Sequence, residues 1–433
     1  MCGAATGGDP MRLRITLAAG IVFGVGLAAA DASILRVPED YSSVLAAVDA
    51  AVSGDSVLVQ PGTWTDTAIR IAPTGAYVKS TLFVKPGITV LGLGGPEVTT
   101  LDVGPEVGAF AVTITNNAPG SAPSYVIGFT ITGGGTGVGG YGGSPLELHD
   151  CRIVDNPRQA ANIAYTRLTL VGGTITGNAE GQSSPQWGCV FGHESALELR
   201  QVTIERNSNV FGVVFDSQPQ SVRLIDCTFL DQTLACRVWD CPDFVVENCS
   251  FVRCSDGGIQ VRNCQGRIEF TTFAYDTSGA GGGAQLSRST IEVSNNTFYR
   301  CHTDGSAAAL SVSFTDGGVH NNIFTGCTTP RGTVSFGGGT QHPSTGCNLF
   351  WDNEGDDFWN DWVPAPTDIE ADPEFCNETV LDLTLHSTSP AASANSACGL
   401  LGAFDVGCGS VSVDATSWGR LKNLYRSSDH EDR

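Results

Sequence analysis

A set of short segments in this chain are variants of one another, and that repeat constrains the fold more than any other feature. They read LELHDCRIVDN, LTLVGGTITGN, LELRQVTIERN, VRLIDCTFLDQ, FVVENCSFVRC, IEVSNNTFYRC and GGVHNNIFTGC. One large apolar residue fills the same slot each time: Ile131, Ile153, Ile175, Ile204, Phe229, Phe251, Phe273, Phe298, Phe324 and Phe350. Successive anchors lie 22, 22, 29, 25, 22, 22, 25, 26 and 26 residues apart. That period is too short for helical solenoids, which repeat at roughly 33 to 47 residues. Within each copy apolar residues alternate, the period of a strand. Gly, Asn and Asp punctuate the copies, and no helical pattern lies between them.

A strand-turn unit of this length cannot bury an apolar face alone, so the copies must stack into a common core. The spacing predicts a β-solenoid with coils about 4.8 Å apart. Three places after the anchors stand Asn156, Asn178, Asn207, Gln232, Cys254, Asp276, Cys301, Cys327 and Asn353. This column is expected at a turn, where Asn bonds to the coils above and below and tolerates left-handed backbone. Two places before the anchors stand Cys151, Cys227 and Cys249, then Asn296, Asn322 and Asn348. Cysteine fits such ladders as a small buried hydrophobe. Disulfides within or between coils, such as Cys236 with Cys241, are the alternative. A metal site lacks both a CxxC pair and a His-rich cluster.

The ends fit the same plan. In YSSVLAAVDAAV the spacing places Val44, Val48 and Val52 on one stripe of a short capping helix. GDSVLVQPGTW follows as turn, strand (Val57 and Val59 on one face) and turn. After Phe350 the rhythm dissolves, and 354–409 reads as an irregular closing cap, with 410–433 a polar tail. At the start, Arg12 and Arg14 precede a 16-residue apolar run, 15–30, that ends in small residues. This is the pattern of an export signal over 1–32 and falls short of the roughly 20 residues of a span. The expected layout is therefore a signal peptide, 1–32, and one domain, 33–409. That domain divides into an N-terminal cap with first coils (33–125), regular coils (126–353) and the C-terminal cap. The mature protein is expected to be secreted or held at the cell surface, with no membrane span after signal cleavage.

Charge narrows the partners. Acidic residues number 45 against 23 basic, a net charge of −22. Such a chain is repelled by phosphate backbones, so nucleic acid is excluded as an expected partner. An apolar fraction of 41% argues against disorder.

The segment VLAAVDAAVSGDSVLVQPGTW resembles the entry motif of secreted right-handed parallel β-helix proteins of the pectin-lyase-like superfamily, with Trp64 where Tyr is usual. NCSFVRCSDGGIQV and NNTFYRC are similar to its coils, and ADPEFC…LTLHSTSPAASANSACGLLGAFDVGCG to its closing segment. The resemblance spans about 34–409. It implies an all-β right-handed parallel β-helix of about ten to twelve coils, with an N-terminal capping helix. Family members include pectate and pectin lyases, polygalacturonases, alginate lyases, epimerases and phage tailspikes, so fold alone does not give activity.

In enzymes of this fold the polysaccharide lies along one sheet, here the strands after the Gly-Gly turn. Gln260 and Arg262 are expected to point outward there, between buried Ile259 and Val261. The same alignment turns out Val190 and Gly192, Val214 and Asp216, Arg237 and Trp239, Gln285 and Ser287, and Ser311 and Ser313. The next column adds His193, Asp240, Asn263 and Arg288. Asp216 and Asp240 are the candidate acid and base of a glycosidase-like reaction. His193, Arg237, Trp239, Gln260, Arg262 and Arg288 are the candidate carbohydrate contacts, with Trp239 suited to stack on a sugar ring. A plain solvated strand face is the competing account. The Asn-Thr-Asp, Gly-His-Gly and Arg-Ile-Lys motifs of polygalacturonases and the Asp-Pro-His-Asp of epimerases do not occur. Asp356-Asp357 forms a pair, but in the cap.

No cofactor is expected. The acidic loop DNEGDD (352–357) has oxygen ligands for Ca²⁺ but lacks the Gly and Glu placement of an EF-hand, so a solvated loop is the better account. GGGTGVGGYGG leads into a strand, which removes the helix a phosphate loop needs. The expectation is an exported β-helix that binds extracellular polysaccharide or serves as a surface scaffold. A polysaccharide lyase or glycoside hydrolase with an atypical site on the middle coils is the alternative, and an adhesin or spike ranks below both.

Overall fold

Alternating Leu, Val and Ile turn one side of each short strand inward, and parallel stacking makes those sides continuous. The computed structural model describes residues 32–409, apart from 72–74, 76, 115–120, 143, 181–187, 208–209, 280, 315, 338–342 and 361. The expected signal segment, 1–31 of it, and the polar tail lie outside the described residues. Three stacks of strands wind around one core.

The first sheet has 13 strands, from Ile34–Val37 to Ser344–Gly346, each hydrogen-bonded to the strand one coil away. Thirteen coils exceed the expected ten to twelve, because the coils before Ile131 lack the anchor motif of the later ones. Ile369–Glu370 adds part of a further turn on Leu349–Trp351, which makes about 14 turns. Strands such as Leu146–His149 and Ser221–Ile225 alternate buried and half-exposed residues, as their period-2 pattern requires.

The second sheet carries the anchors. Ile131, Ile153, Ile175 and Ile204 pair in register, followed by Phe229, Phe251, Phe273, Phe298, Phe324 and Phe350. The six phenyl rings stack nearly parallel, with centroids 4.7 to 5.1 Å apart. Small residues make room for them. A Cβ on Gly283 would lie 2.5 Å from the Phe298 ring and 2.9 Å from the Ala309 carbonyl oxygen. Ala309 holds the same place in the next coil, so one methyl is near the limit. Gly283→Val should therefore destabilise the chain by about 1–3 kcal/mol through overpacking, read as a lowered thermal midpoint.

Side-chain ladders finish each coil. Asn156 N–H and Nδ2 donate to Asn178 Oδ1 at 3.1 and 2.9 Å, and Asn178 repeats both bonds to Asn207. A second ladder runs Thr271–Asn296–Asn322–Asn348–Asp368, with backbone N–H to side-chain oxygen distances of 2.9 to 3.1 Å. The expected left-handed backbone lies one residue earlier than the ladder, at Asp155, Gly177 and Arg206 in the first and Asn295 and Asn321 in the second. The left-handed residue turns the chain, and its successor's side chain can then point inward along the stack.

Most cysteines of the coils are ladder members, such as Cys227, Cys249, Cys254 and Cys327, while Cys189 and Cys236 lie inside the strands Gly188–His193 and Cys236–Trp239. Ten are free and buried, among them Cys236 and Cys241, so the disulfide considered for that pair does not form. The ladder thiols donate to backbone carbonyls, as Cys227 Sγ does to the Ile225 oxygen at 3.2 Å and Cys264 Sγ to the Arg262 oxygen at 3.3 Å. Burial pushes the Cys151 and Cys189 thiols up to about 12.

The N-terminal helix spans Val44–Ala50, capped by Ser43, whose Oγ accepts from Ala46 N–H. Val44 and Val48 are buried as expected, but Val52 lies past the helix end and is 52% exposed. Ala47 and Leu45 complete the buried face instead.

The C-terminal segment divides into two parts. Phe358 and Trp362 close the core end, with the Trp362 ring 4.0 Å from Phe336. Residues from Phe375 onward turn back along the outside of the second sheet. Tyr299 Oη donates to Glu378 Oε2 at 2.8 Å, Asn295 Nδ2 donates to the Leu400 oxygen at 2.7 Å, and Ala403 N–H donates to Thr297 Oγ1. Disulfides Cys347–Cys398 and Cys376–Cys408 fasten this strap. Among the described residues no helix is long and apolar enough to cross a membrane.

Candidate functional site

The third sheet holds the predicted site. Its middle strands are Gly188–His193, Phe211–Phe215, Cys236–Trp239, Ile259–Arg262, Ala284–Ser287 and Leu310–Ser313, paired in that order. Two columns face outward. One runs Phe191, Val214, Arg237, Gln260, Gln285, Ser311 and Ser335. The other contains Trp239, Arg262, Ser287 and Ser313. Gly192 pairs with Phe215, so His193 and Asp216 continue this second column.

In one coil the strand sits one residue away from its expected register, with Phe191 in place of Val190 opposite Val214. The expected register turns Val190 and Gly192 outward and puts His193 in the turn column. Val190 is buried, and Phe191 and His193 face out instead. The cause is the 29-residue repeat between Ile175 and Ile204: its extra residues precede the strand, and a slip of one reverses every side chain. Glu194, not His193, occupies the left-handed turn position with Asp240, Asn263 and Arg288. Successive members donate their N–H to the residue before the next turn, as Glu194 does to Ser217, Asp240 to Arg262, and Asn263 to Ser287.

Arg237 is the structural centre of the patch. Its guanidinium lies 4.9 Å from the Phe211 ring centroid and 5.0 Å from that of Trp239. Its Nη2 meets Asp216 Oδ2 at 3.5 Å. Burial pulls the Arg237 guanidinium down from its ordinary range, and the Asp216 charge opposes that pull. Phe211, Val214 and Leu234 form an apolar cluster beside it, with Phe191 packed on its edge. Val214 faces outward as expected yet is fully covered. Phe211 was invisible to the alignment because it precedes the alternating part of its strand.

The two candidate carboxylates have different partners. Asp216 holds Arg237, and Ser217 Oγ donates to its Oδ1 at 3.4 Å. Asp240 stands at the turn, where its Oδ1 accepts from Asn263 Nδ2 at 2.7 Å. His193 Nε2 lies 3.2 Å from Glu194 Oε1, and its ring meets Tyr165 edge-on at 5.6 Å. Gln260 Nε2 donates to Gln285 Oε1 at 2.7 Å, which continues the amide column into the next coil. Arg262 and Arg288 are exposed.

Open depressions flank the sheet on both edges. At the turn edge, a depression of about 580 Å³ is lined by Gln218, Pro219, Gln220, Asp240, Asn263 and Gln265. On the opposite edge a second, of about 250 Å³, is lined by Leu234, Asp256, Gln260, Ser278 and Gln285. Burial raises the Asp256 carboxyl above its ordinary range. Gln218 and Gln220 belong to a turn, whose length the repeat pattern does not constrain, and Gln265 opens the strand Gln265–Glu269, so none of the three has a signal in the sequence. The acidic stretch 352–357, expected as a solvated loop, runs instead into a strand, Glu354–Asn360, that pairs in parallel with Thr328–Gly337 of the coil before it; Asn353 Nδ2 donates to Asp357 Oδ1 at 2.8 Å, and burial raises the Asp357 carboxyl. Among the described residues no three His, Cys, Asp or Glu side chains are placed to hold a metal ion.

Comparison with known proteins bears on the fold. No curated protein sequence matches the chain. Among solved structures, the catalytic unit of a GH87 alpha-1,3-glucanase from Streptomyces thermodiastaticus is 13% identical, with a TM-score of 0.41, over 78% of this chain and 71% of that one. PfbA, a surface adhesin of Streptococcus pneumoniae, is 11% identical with a TM-score of 0.42, over 75% and 91%. A pectate lyase is 13% identical with a TM-score of 0.33, over 87% and 97%. The family model described as right handed beta helix region matches residues 111–261 and 212–356. Together those matches span more than half of the sequence, along the coils whose strands pair in register: the chain belongs to the right-handed β-helix family.

Proposed function

We propose that this chain is an exported β-helix protein that binds carbohydrate along its third sheet, without a catalytic constellation. The observation that carries the reading is the Phe211–Arg237–Trp239 stack. A buried guanidinium between two rings fixes the indole of Trp239, which remains half-exposed on the outward face. A rigid, partly exposed aromatic is suited to the apolar faces of sugar rings. Gln260, Gln285, Ser287 and Ser311 continue the face with neutral hydrogen-bonding groups. From His193 to Arg288 the patch covers five coils, about 19 Å at the inter-strand spacing.

Acid-base chemistry by Asp216 and Asp240 has less support. Asp216 is spent on Arg237, and Asp240 belongs to the turn column. The test is retention of the whole chain on immobilised glycans, with assays for new reducing ends and unsaturated sugars. Retention without product is expected, and Trp239→Ala should weaken it by about tenfold, the loss of one stacking contact of ~1.4 kcal/mol. Product formation that disappears in Asp216→Asn or Asp240→Asn would replace the binding reading with an enzyme.

A further inference from the structure

We infer that the ligand of this face is a neutral polysaccharide and not a polyuronate. The inference rests on the carbohydrate-binding reading above and adds the chemical class. A polyuronate brings one carboxylate with each sugar, so a surface that grips several sugars must supply cations along the same path. This face does not. Arg237 is engaged by Asp216 at 3.5 Å and covered by two rings. Arg262 and Arg288 are the exposed guanidiniums. Against them stand Asp240 in the larger depression, Asp256 in the smaller, and Glu194 in the turn column. A carboxylate polymer laid along either edge would meet a carboxyl group there. The whole chain, at −22, would also slow its approach.

The larger depression shows what the edge does offer. Gln218, Gln220, Gln265 and Asn263 supply amide donors and acceptors, and Pro219 and Pro242 supply flat apolar walls. Amides answer hydroxyls, which both donate and accept, while a proline ring packs against C–H faces. Asp240 already accepts from Asn263, which orients that amide. An array of neutral two-way groups around one acceptor suits sugar hydroxyls. It has no means of compensating a row of negative charges.

The test compares retention on neutral polymers (galactomannan, xylan, mixed-linkage glucan) with retention on polygalacturonate and alginate, each at low and high salt. Neutral polymers should retain the protein, with little dependence on salt because no charges pair. The double variant Gln220→Ala/Gln265→Ala should weaken that retention by about tenfold, the loss of two hydrogen bonds, with an unchanged thermal midpoint as the control for folding. Retention on the polyuronates, released by salt, would overturn the inference and leave the binding reading standing. Equal retention of the double variant on neutral polymers would also overturn it, because the amide depression would then not be the contact. Failure to bind either class would remove the binding reading and the inference together.

Discussion

Phe273→Ala should destabilise the chain by about 3–5 kcal/mol, the range for emptying a fully packed aromatic site. Phe273 is completely buried, and its ring stacks on Phe251 at 5.1 Å and on Phe298 at 4.7 Å. Its removal therefore breaks two ring contacts as well as opening a cavity. The position in the middle of the stack adds a second effect. Solenoid stability is close to a sum of nearest-neighbour terms, so a weak coil in the middle uncouples the two halves. The urea transition should shift to lower concentration and broaden or split. A single transition moved by less than about 1 kcal/mol would mean that the ring column does not hold the coils together.

Asp276→Asn should stabilise the chain, and the gain should grow with pH. Asp276 occupies the ladder position that Asn156, Asn178 and Asn207 hold in earlier coils. It is fully buried, its Oδ1 accepts from Cys254 N–H at 2.7 Å, and among the described residues its Oδ2 has no hydrogen-bond partner. Burial pushes its carboxyl up to about 8, from 3.8 in the unfolded chain. The sign follows from proton binding. Between those values the folded state keeps a proton that the unfolded state has released, so raising the pH favours unfolding. Each pH unit in that window removes about 1.4 kcal/mol. Below pH 4 both states are protonated and the effect vanishes; above about 8 it levels off. Asparagine keeps the acceptor for Cys254 and adds an N–H that never ionises. Denaturation midpoints of the two proteins should converge near pH 4 and separate steadily towards pH 8. Parallel pH profiles would show that Asp276 does not titrate in this way.

Asp276 also illustrates why so much of the fold was legible. A solenoid asks the same question of the chain at every coil. The answers recur in sequence as anchors, ladder residues and turn residues, and a column of ten similar answers outweighs one exception. The anchor column was therefore readable position by position, and so were the Asn and Cys ladders. Local chemistry decides these positions: period-2 burial, a left-handed turn, and a side chain that bonds to the coil above.

The candidate site is where that logic stopped. Asp216, Arg237, Trp239, Gln260 and Arg262 were placed correctly on one face, because their coils repeat at nearly constant length. His193 was placed one residue out because its coil has an insertion, and a one-residue slip exchanges inside for outside. Gln218 and Gln220 have no sequence signal because turn residues have no period, and Phe211 and Gln265 have none because each stands at the first position of its strand, before the alternation begins. Nor did the sequence reveal that the C-terminal segment straps the side of the second sheet. That contact joins residues about 100 positions apart, such as Asn295 and Leu400. The sequence by itself determined the solenoid, its core and its ladders, because each is a short-range pattern repeated many times. Only the tertiary structure decided which outward side chains meet, that Arg237 lies between Phe211 and Trp239, and where the open depressions fall. Those depend on insertion lengths and turn paths, which no repeat encodes.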